Sequence, residues 1–133
     1  MSGFLRLHHQ AIIDRLGMDA ALSGAVFKAA AAGNPDRYVV TFLSGRFLAD
    51  RYSLLPRTAD FTLTTHSVGL DDEQAQLVSE HVHAQLHGYQ LAVAGWSPRT
   101  ISHTRFGDAA LDDAVLPGRS WVADQYSFIS ESI

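Results

Sequence analysis

Glu80, His83 and His87 are the residues whose types and spacing come nearest to a reactive site. On a helix His83 and His87, four apart, share a face, and a metal ion can use imidazoles at that spacing. The pair supplies only two ligands, and the zincin pattern needs a glutamate next to the first histidine, which this sequence lacks. All three residues lie opposite the apolar stripe Val78, Val82 and Leu86, so a solvent-facing histidine cluster is the simpler expectation. No metal residue is assigned, and a small metal-binding enzyme using these histidines is the alternative from another functional class.

The other candidates are weaker. His8 and His9 are adjacent and point about 100° apart on a helix, so they cannot easily share a metal. His66 and His103 fall on predicted strands, with no partner nameable from sequence. The chain has no cysteine, which removes disulfides, zinc thiolates and cysteine nucleophiles. There is no G-x-S-x-G elbow, no Walker A loop and no G-x-G-x-x-G turn. Asp71, Asp72 and Glu73 read as a helix start, and Asp112 and Asp113 as part of a solvated loop, in preference to paired catalytic carboxylates. No catalytic residue and no cofactor are expected, and the chain is read as a non-enzyme.

The elements that must position these residues follow from periodicity. Leu5, Ile12 and Leu16 predict an amphipathic helix over roughly 3–16, ended by Gly17, with Asp19 capping a turn through Ala20-Ala21-Leu22. Ala25-Val26-Phe27 predicts a short strand, and Tyr38 to Leu43, β-branched and aromatic, a strong one. Phe61 to Val68 alternates at period two and predicts a half-buried strand, paired antiparallel with the previous one. A second helix opens at Asp71-Asp72-Glu73, buries Ala75, Val78, Val82 and Leu86, and ends at Gly88. Strands are predicted from Thr100 to Phe106 and from Trp121 to Ser130, separated by an acidic loop over 107–118. The expected fold class is α+β: one domain over 1–133, an antiparallel sheet with two helices packed on it.

Composition narrows the function classes. Hydrophobic residues make up 47% of the chain and charged residues 18%, a globular balance. The net charge of -4 lacks the basic excess of a protein that grips nucleic acid. No signal peptide or membrane span is read, so a soluble protein made inside the cell is expected, with no membrane partner. Nine of the ten basic residues are Arg, Lys28 being the exception, and Arg suits protein interfaces.

The connection over 44–60 exceeds what a strand pair needs, and long connections are commonly functional. It carries Phe47, Leu48, Tyr52, Leu54 and Leu55 alongside Arg46, Arg51 and Arg57, the types enriched in protein interfaces. Asp108, Asp112 and Asp113 of the acidic segment form a possible counterpart, across subunits or towards partners. These eleven residues are the candidate interface set.

In order and spacing the chain resembles the tail terminator, or minor tail-completion, family of long-tailed bacteriophages. The resemblance is carried by Asp19-Ala20-Ala21-Leu22, then Val26-Phe27, then Pro35 before Tyr38-Val39-Val40. The alternating strand Phe61 to Val68, a second helix ending in Leu86-His87-Gly88 and two closing strands complete it. It implies a homo-oligomeric, hexameric ring that caps the major tail tube protein, stops its polymerisation and joins a head–tail connector or stopper. Phage DNA would pass through without specific binding, and the location would be the tail or neck of the virion, assembled in the host cytoplasm. A head–tail connector or stopper protein of the neck is the alternative within the same class.

Overall fold

The computed structural model describes residues 4–28, 36–47, 58–112 and 119–132, with the backbone alone described for 105–112 and 119. Two helices and six strands follow in the order α1 (Phe4–Gly17), β1 (Val26–Lys28), β2 (Tyr38–Phe47), β3 (Thr58–Gly69), α2 (Asp72–Leu86), β4 (Trp96–Pro98), β5 (Ser102–Asp112) and β6 (Arg119–Ser132). The strands form one sheet in the order β1-β2-β3-β6-β4, with β5 also on β6. All pairings are antiparallel except β1 with β2, which is parallel. The expected α+β domain is present, its sheet mixed by that one short strand.

Alternation decides which residues face the helices. On β3, Ala59, Phe61, Leu63, Thr65 and Ser67 are buried, while Thr62, Thr64 and His66 on the other face are half-buried. Opposite them on β6, Val122, Asp124, Tyr126, Phe128 and Ser130 are buried. Ile12 and Leu16 of α1 and Val78, Val82 and Leu86 of α2 close over Phe61, Leu63, Tyr126 and Phe128 in one cluster. Phe61 and Phe128 stack with centroids 4.9 Å apart; fully burying such a ring contributes about 1.5–3 kcal/mol. A smaller apolar cluster, Tyr38, Val40 and Val68 with Phe27 and Trp121 against it, covers part of the opposite face.

Both helix starts and stops have local causes. Asp71 Oδ1 accepts the Gln74 N–H at 2.8 Å, and the Gln74 side chain accepts the Leu70 N–H at 3.0 Å, a reciprocal N-terminal cap. Past the helix end Gly88 takes a positive φ of 76°, and its N–H donates to the Ile101 carbonyl at 2.8 Å. After α1, Asp19 Oδ1 accepts the Ala21 N–H at 2.8 Å, the expected turn cap.

Four details differ from the sequence expectations. Leu5 is 37% exposed, and His8 takes its place on the buried stripe of α1 with Ile12 and Leu16. The 44–60 connection shortens, because β2 runs to Phe47 and β3 begins at Thr58. The acidic segment is not wholly a loop: β5 continues to Asp112, with register irregularities between His103 and Arg105 and between Phe106 and Ala109. The strand β4, unforeseen, forms by pairing Trp96, Ser97 and Pro98 with Ser132, Glu131 and Ser130.

Gly69 ends β3 where α2 folds back, and a Cβ there would lie 2.6 Å from the Ala75 backbone nitrogen. Gly17, at the end of α1, has nothing within 4 Å of the same position. Gly69→Ala is therefore expected to cost about 1–3 kcal/mol through forced backbone displacement. Gly17→Ala should instead gain roughly 0.4–1 kcal/mol by restricting the unfolded chain. Urea denaturation of the two variants would check the opposite signs.

Candidate interface segments and the histidine cluster

Of the candidate interface residues, Arg46, Phe47, Asp108 and Asp112 fall on described strands. Leu48, Arg51, Tyr52, Leu54, Leu55, Arg57 and Asp113 lie outside the described residues. Arg46 has a side chain 77% exposed, with Nη2 3.7 Å from Asp60 Oδ2. An exposed pair at that distance contributes at most about 1 kcal/mol, so Arg46 keeps its capacity to meet an outside carboxylate. Phe47 turns inward instead: its ring lies 4.7 Å from Phe4 and 6.4 Å from Trp96. Asp112 is paired in register with Arg119, and Asp108 sits in the irregular stretch of β5.

The ladder sets where these groups lie relative to one another. Phe47 pairs with Ala59 and Ala59 with Ser130, near one end of β6, whereas Asp112 pairs with Arg119 at the other. At ~3.3 Å per residue those rows are about 35 Å apart. The β2–β3 connection and the β5–β6 connection therefore leave opposite ends of the sheet and do not meet through their anchors in one protomer.

Of the expected solvent-facing cluster, Glu80 and His87 are exposed and His83 is half-buried. His83 and His87 stack with centroids 4.8 Å apart and planes 12° apart. His103, from β5, meets His83 edge-on at 5.0 Å and Tyr126 at 5.0 Å. Beneath them lies Asp124, 1% exposed. Its Oδ2 accepts the Ser79 hydroxyl at 2.6 Å, and its Oδ1 is 3.7 Å from His103 Nε2. The His103 N–H donates to His87 Nδ1 at 3.3 Å, so that nitrogen carries a lone pair and the His87 proton sits on Nε2. Burial, with the nearby His103 and His87 rings, lowers the His83 pKa against the opposing pull of Asp124. Burial together with the Asp124 charge pushes the Tyr126 hydroxyl well above its usual range.

The structure thus brings a third histidine and a carboxylate to the helix pair, which sequence alone could not do. The chemistry is still not that of a metal centre. Among the described residues no group of three or more His, Asp or Glu is arranged to hold a metal ion. The near-parallel stacking of His83 and His87 aims their in-plane lone pairs side by side, not at one point. The Ser79 hydroxyl donates to the buried Asp124 carboxylate at 2.6 Å.

Two further histidines are structural. His8 is fully buried, stacked on Phe61 at 4.3 Å and edge-on to Trp96 at 5.0 Å. Its Nδ1 donates to the Phe4 carbonyl at 2.6 Å, so in the neutral ring Nε2 accepts from the Ser130 hydroxyl at 2.8 Å. Burial lowers its pKa despite the Phe4 bond. The Thr41 hydroxyl donates to the Phe27 carbonyl at 3.0 Å, so His9 Nε2 donates to Thr41 at 2.7 Å. Burial and Lys28 lower the His9 pKa. Elsewhere, burial alone would raise the Asp19 carboxyl, but the His81 side chain, the Ala21 N–H and Gln85 outweigh it and hold the group below its ordinary value.

No protein-family model matches the sequence, and no curated protein matches it. Solved structures do match in fold. A chain from the "Virion of native gene transfer agent (GTA) particle" is similar with a TM-score of 0.78 at 15% identity, covering 99% of this chain and 100% of that one. A second solved structure has a TM-score of 0.59 at 16% identity and covers 100% of this chain and 96% of that one. At these identities the likeness is one of fold: this chain shares the fold of a chain in a gene transfer agent virion particle.

Burial lowers the pKa of His8, His9, His66 and His83 below the ordinary 6.5. A base with a lowered folded pKa is protonated first in the unfolded chain, so its contribution is fully present above pH 6.5 and is lost as pH falls below it. The urea midpoint should therefore drop between about pH 7.5 and pH 5.5. A midpoint that held or rose over that interval would contradict the buried, neutral assignment.

Proposed function

We propose that this chain is a structural protein of a tailed-phage or phage-like virion, and that within it the chain is the tail terminator. The observation that carries the structural role is the full-length fold likeness to a chain of a gene transfer agent virion particle. The finer role rests on the order of motifs from Asp19-Ala20-Ala21-Leu22 to Leu86-His87-Gly88. In this reading copies of the chain close into a hexameric ring on the last ring of tail-tube subunits. The ring stops tube growth and offers its far side to a head connector or stopper. DNA passes through the ring, and a chain of net charge -4 suits a passage that must not hold DNA by its phosphates.

A closed ring needs two different patches on each copy. Arg46 lies towards one end of the sheet, in the Asp60–Ile129 row, and Asp112 at the other, in register with Arg119. Two docking ends of unlike charge suit a protein that must meet different neighbours on its two sides. At that separation Arg46 and Asp112 can meet only between copies. The enzyme alternative has less support, because the helix histidines are stacked and the described contacts include no activated nucleophile.

Light scattering and electron microscopy of the purified chain, alone and with tail-tube protein, test this reading. Rings of defined size that cap tubes and limit their length are the expected result. Arg46→Glu with Arg51→Glu should weaken tube capping by roughly tenfold or more, as loss of paired charges at an interface does. A strict monomer under both conditions would overturn the ring. Rings that bind the connector but leave tube length unlimited would move the chain to the neck.

A further inference from the structure

We propose that the groove between α1 and residues 89–94 receives the β5–β6 connection, residues 113–118, of a second copy. The inference rests on the ring reading, to which it supplies one contact between neighbours. The groove has a volume of about 470 Å³ and is walled by Leu7, Ala11 and Met18 of α1 and by Leu91, Ala92 and Ala94. Clefts of this size accept apolar groups. Leu7 is 41% exposed and Met18 72%, on a stripe of α1 separate from the buried stripe of His8, Ile12 and Leu16.

A cation is fixed in this apolar groove. The Arg15 guanidinium lies 3.7 Å from the centre of the Tyr89 ring, and its Nε donates to the Gln85 carbonyl at 3.0 Å. Among the described residues no carboxylate forms an ion pair with Arg15. The other charge in the groove, Asp14, sits on the neighbouring row of α1 with Gln10, whose amide donates to it at 2.8 Å. An arginine held by stacking and by a backbone carbonyl presents its remaining N–H groups already oriented, so less entropy is lost when a carboxylate binds them. The occupant that fits is an apolar segment with a carboxylate close by in its sequence.

Residues 113–118 read Asp-Ala-Val-Leu-Pro-Gly. Asp113 supplies the charge complementary to Arg15, and Val115 and Leu116 supply apolar side chains to cover Leu7 and Met18. The β2–β3 connection is the poorer match, since its Arg51 and Arg57 set like charge against Arg15. Nor can the β5–β6 connection serve the groove of its own copy. Its anchors, Asp112 and Arg119, pair with each other, whereas Tyr89 is bonded to Ile101, whose neighbour Ser102 pairs with Ser127. Between Arg119 and Ser127 the strand runs about 26 Å. Six residues anchored at both ends reach out only about 12 Å. Groove and connection are thus different patches of one copy, and their contact is head-to-tail, the kind that closes a ring.

Sedimentation velocity of single variants and of their mixture tests the contact. Ala92→Glu and Met18→Glu each change an exposed groove residue, and Asp113→Lys with Leu116→Ser changes the connection. Each should raise the concentration at which rings half-assemble by about tenfold or more, with the urea midpoint unchanged. A groove variant mixed with the connection variant should form dimers and stop there, because one intact groove and one intact connection remain, on different copies. Rings that persist in both kinds of variant would overturn the contact and leave the ring reading standing. Rings lost in one kind and kept in the other, or a mixture without dimers, would also overturn it, since groove and connection would then have different partners. An unaltered chain that stays monomeric, alone and with tail-tube protein, would overturn contact and ring together.

Discussion

The pairing of β3 with β6 is the constraint on which the remaining structure rests. It runs in unbroken register from Thr58 with Glu131 to Gly69 with Ser120, and every other strand except β1 attaches directly to one of these two. Because side chains alternate, a slip of one residue would exchange Phe61 and Leu63 for Thr62 and Thr64, or Tyr126 and Phe128 for Gln125 and Ser127. Both helices pack on the face that this register makes apolar. The register also brings Asp124 under α2 and Ser130 under α1, so the two buried polar contacts with Ser79 and His8 depend on it.

Those contacts show how this core tolerates polar groups. His8 is enclosed by Phe61, Trp96 and Phe128, yet both ring nitrogens have partners, one within its own helix and one across the fold. A neutral imidazole with both nitrogens satisfied can be buried with little penalty, whereas an unpartnered one costs about 1–3 kcal/mol. His9 and Thr41 follow the same logic at the edge of α1. Histidine here acts chiefly as a hydrogen-bonding spacer between helix and sheet, and its titration limits the acid range in which the packing holds.

What was legible in the sequence follows from how local each cause is. The stripe Ala75, Val78, Val82 and Leu86 and the alternation from Phe61 to Leu63 announce their elements because burial on one face repeats within the segment itself. β4 does not: three residues ending in Pro98 carry no period, and only the tail of β6 makes them a strand. Gly107 and Asp108 read as turn residues, and the ladder with β6 carries β5 past them by breaking register on either side. His8 is not part of the predicted stripe of Leu5, Ile12 and Leu16, because its partner, Ser130, belongs to the last strand. The histidine cluster was half visible: His83 and His87 share a helix face, but His103 and Asp124 arrive from two other strands. The candidate interface set rests on composition alone, which cannot tell the inward Phe47 from the exposed Arg46 beside it.

The ladder also gives the charge distribution its meaning. Arg46 and Asp112, far apart in the sequence, are set near opposite ends of the β3–β6 ladder. The connections that leave those ends differ in charge and residue type, so the ends cannot substitute for one another. The open face of β2, β3 and β6 carries Ser44, Thr62, Thr64, Gln125 and Ser127, with Arg46 and Asp60 at its margin. These hydroxyl and amide side chains share the open face with Phe42 and His66, whose rings meet at 5.1 Å.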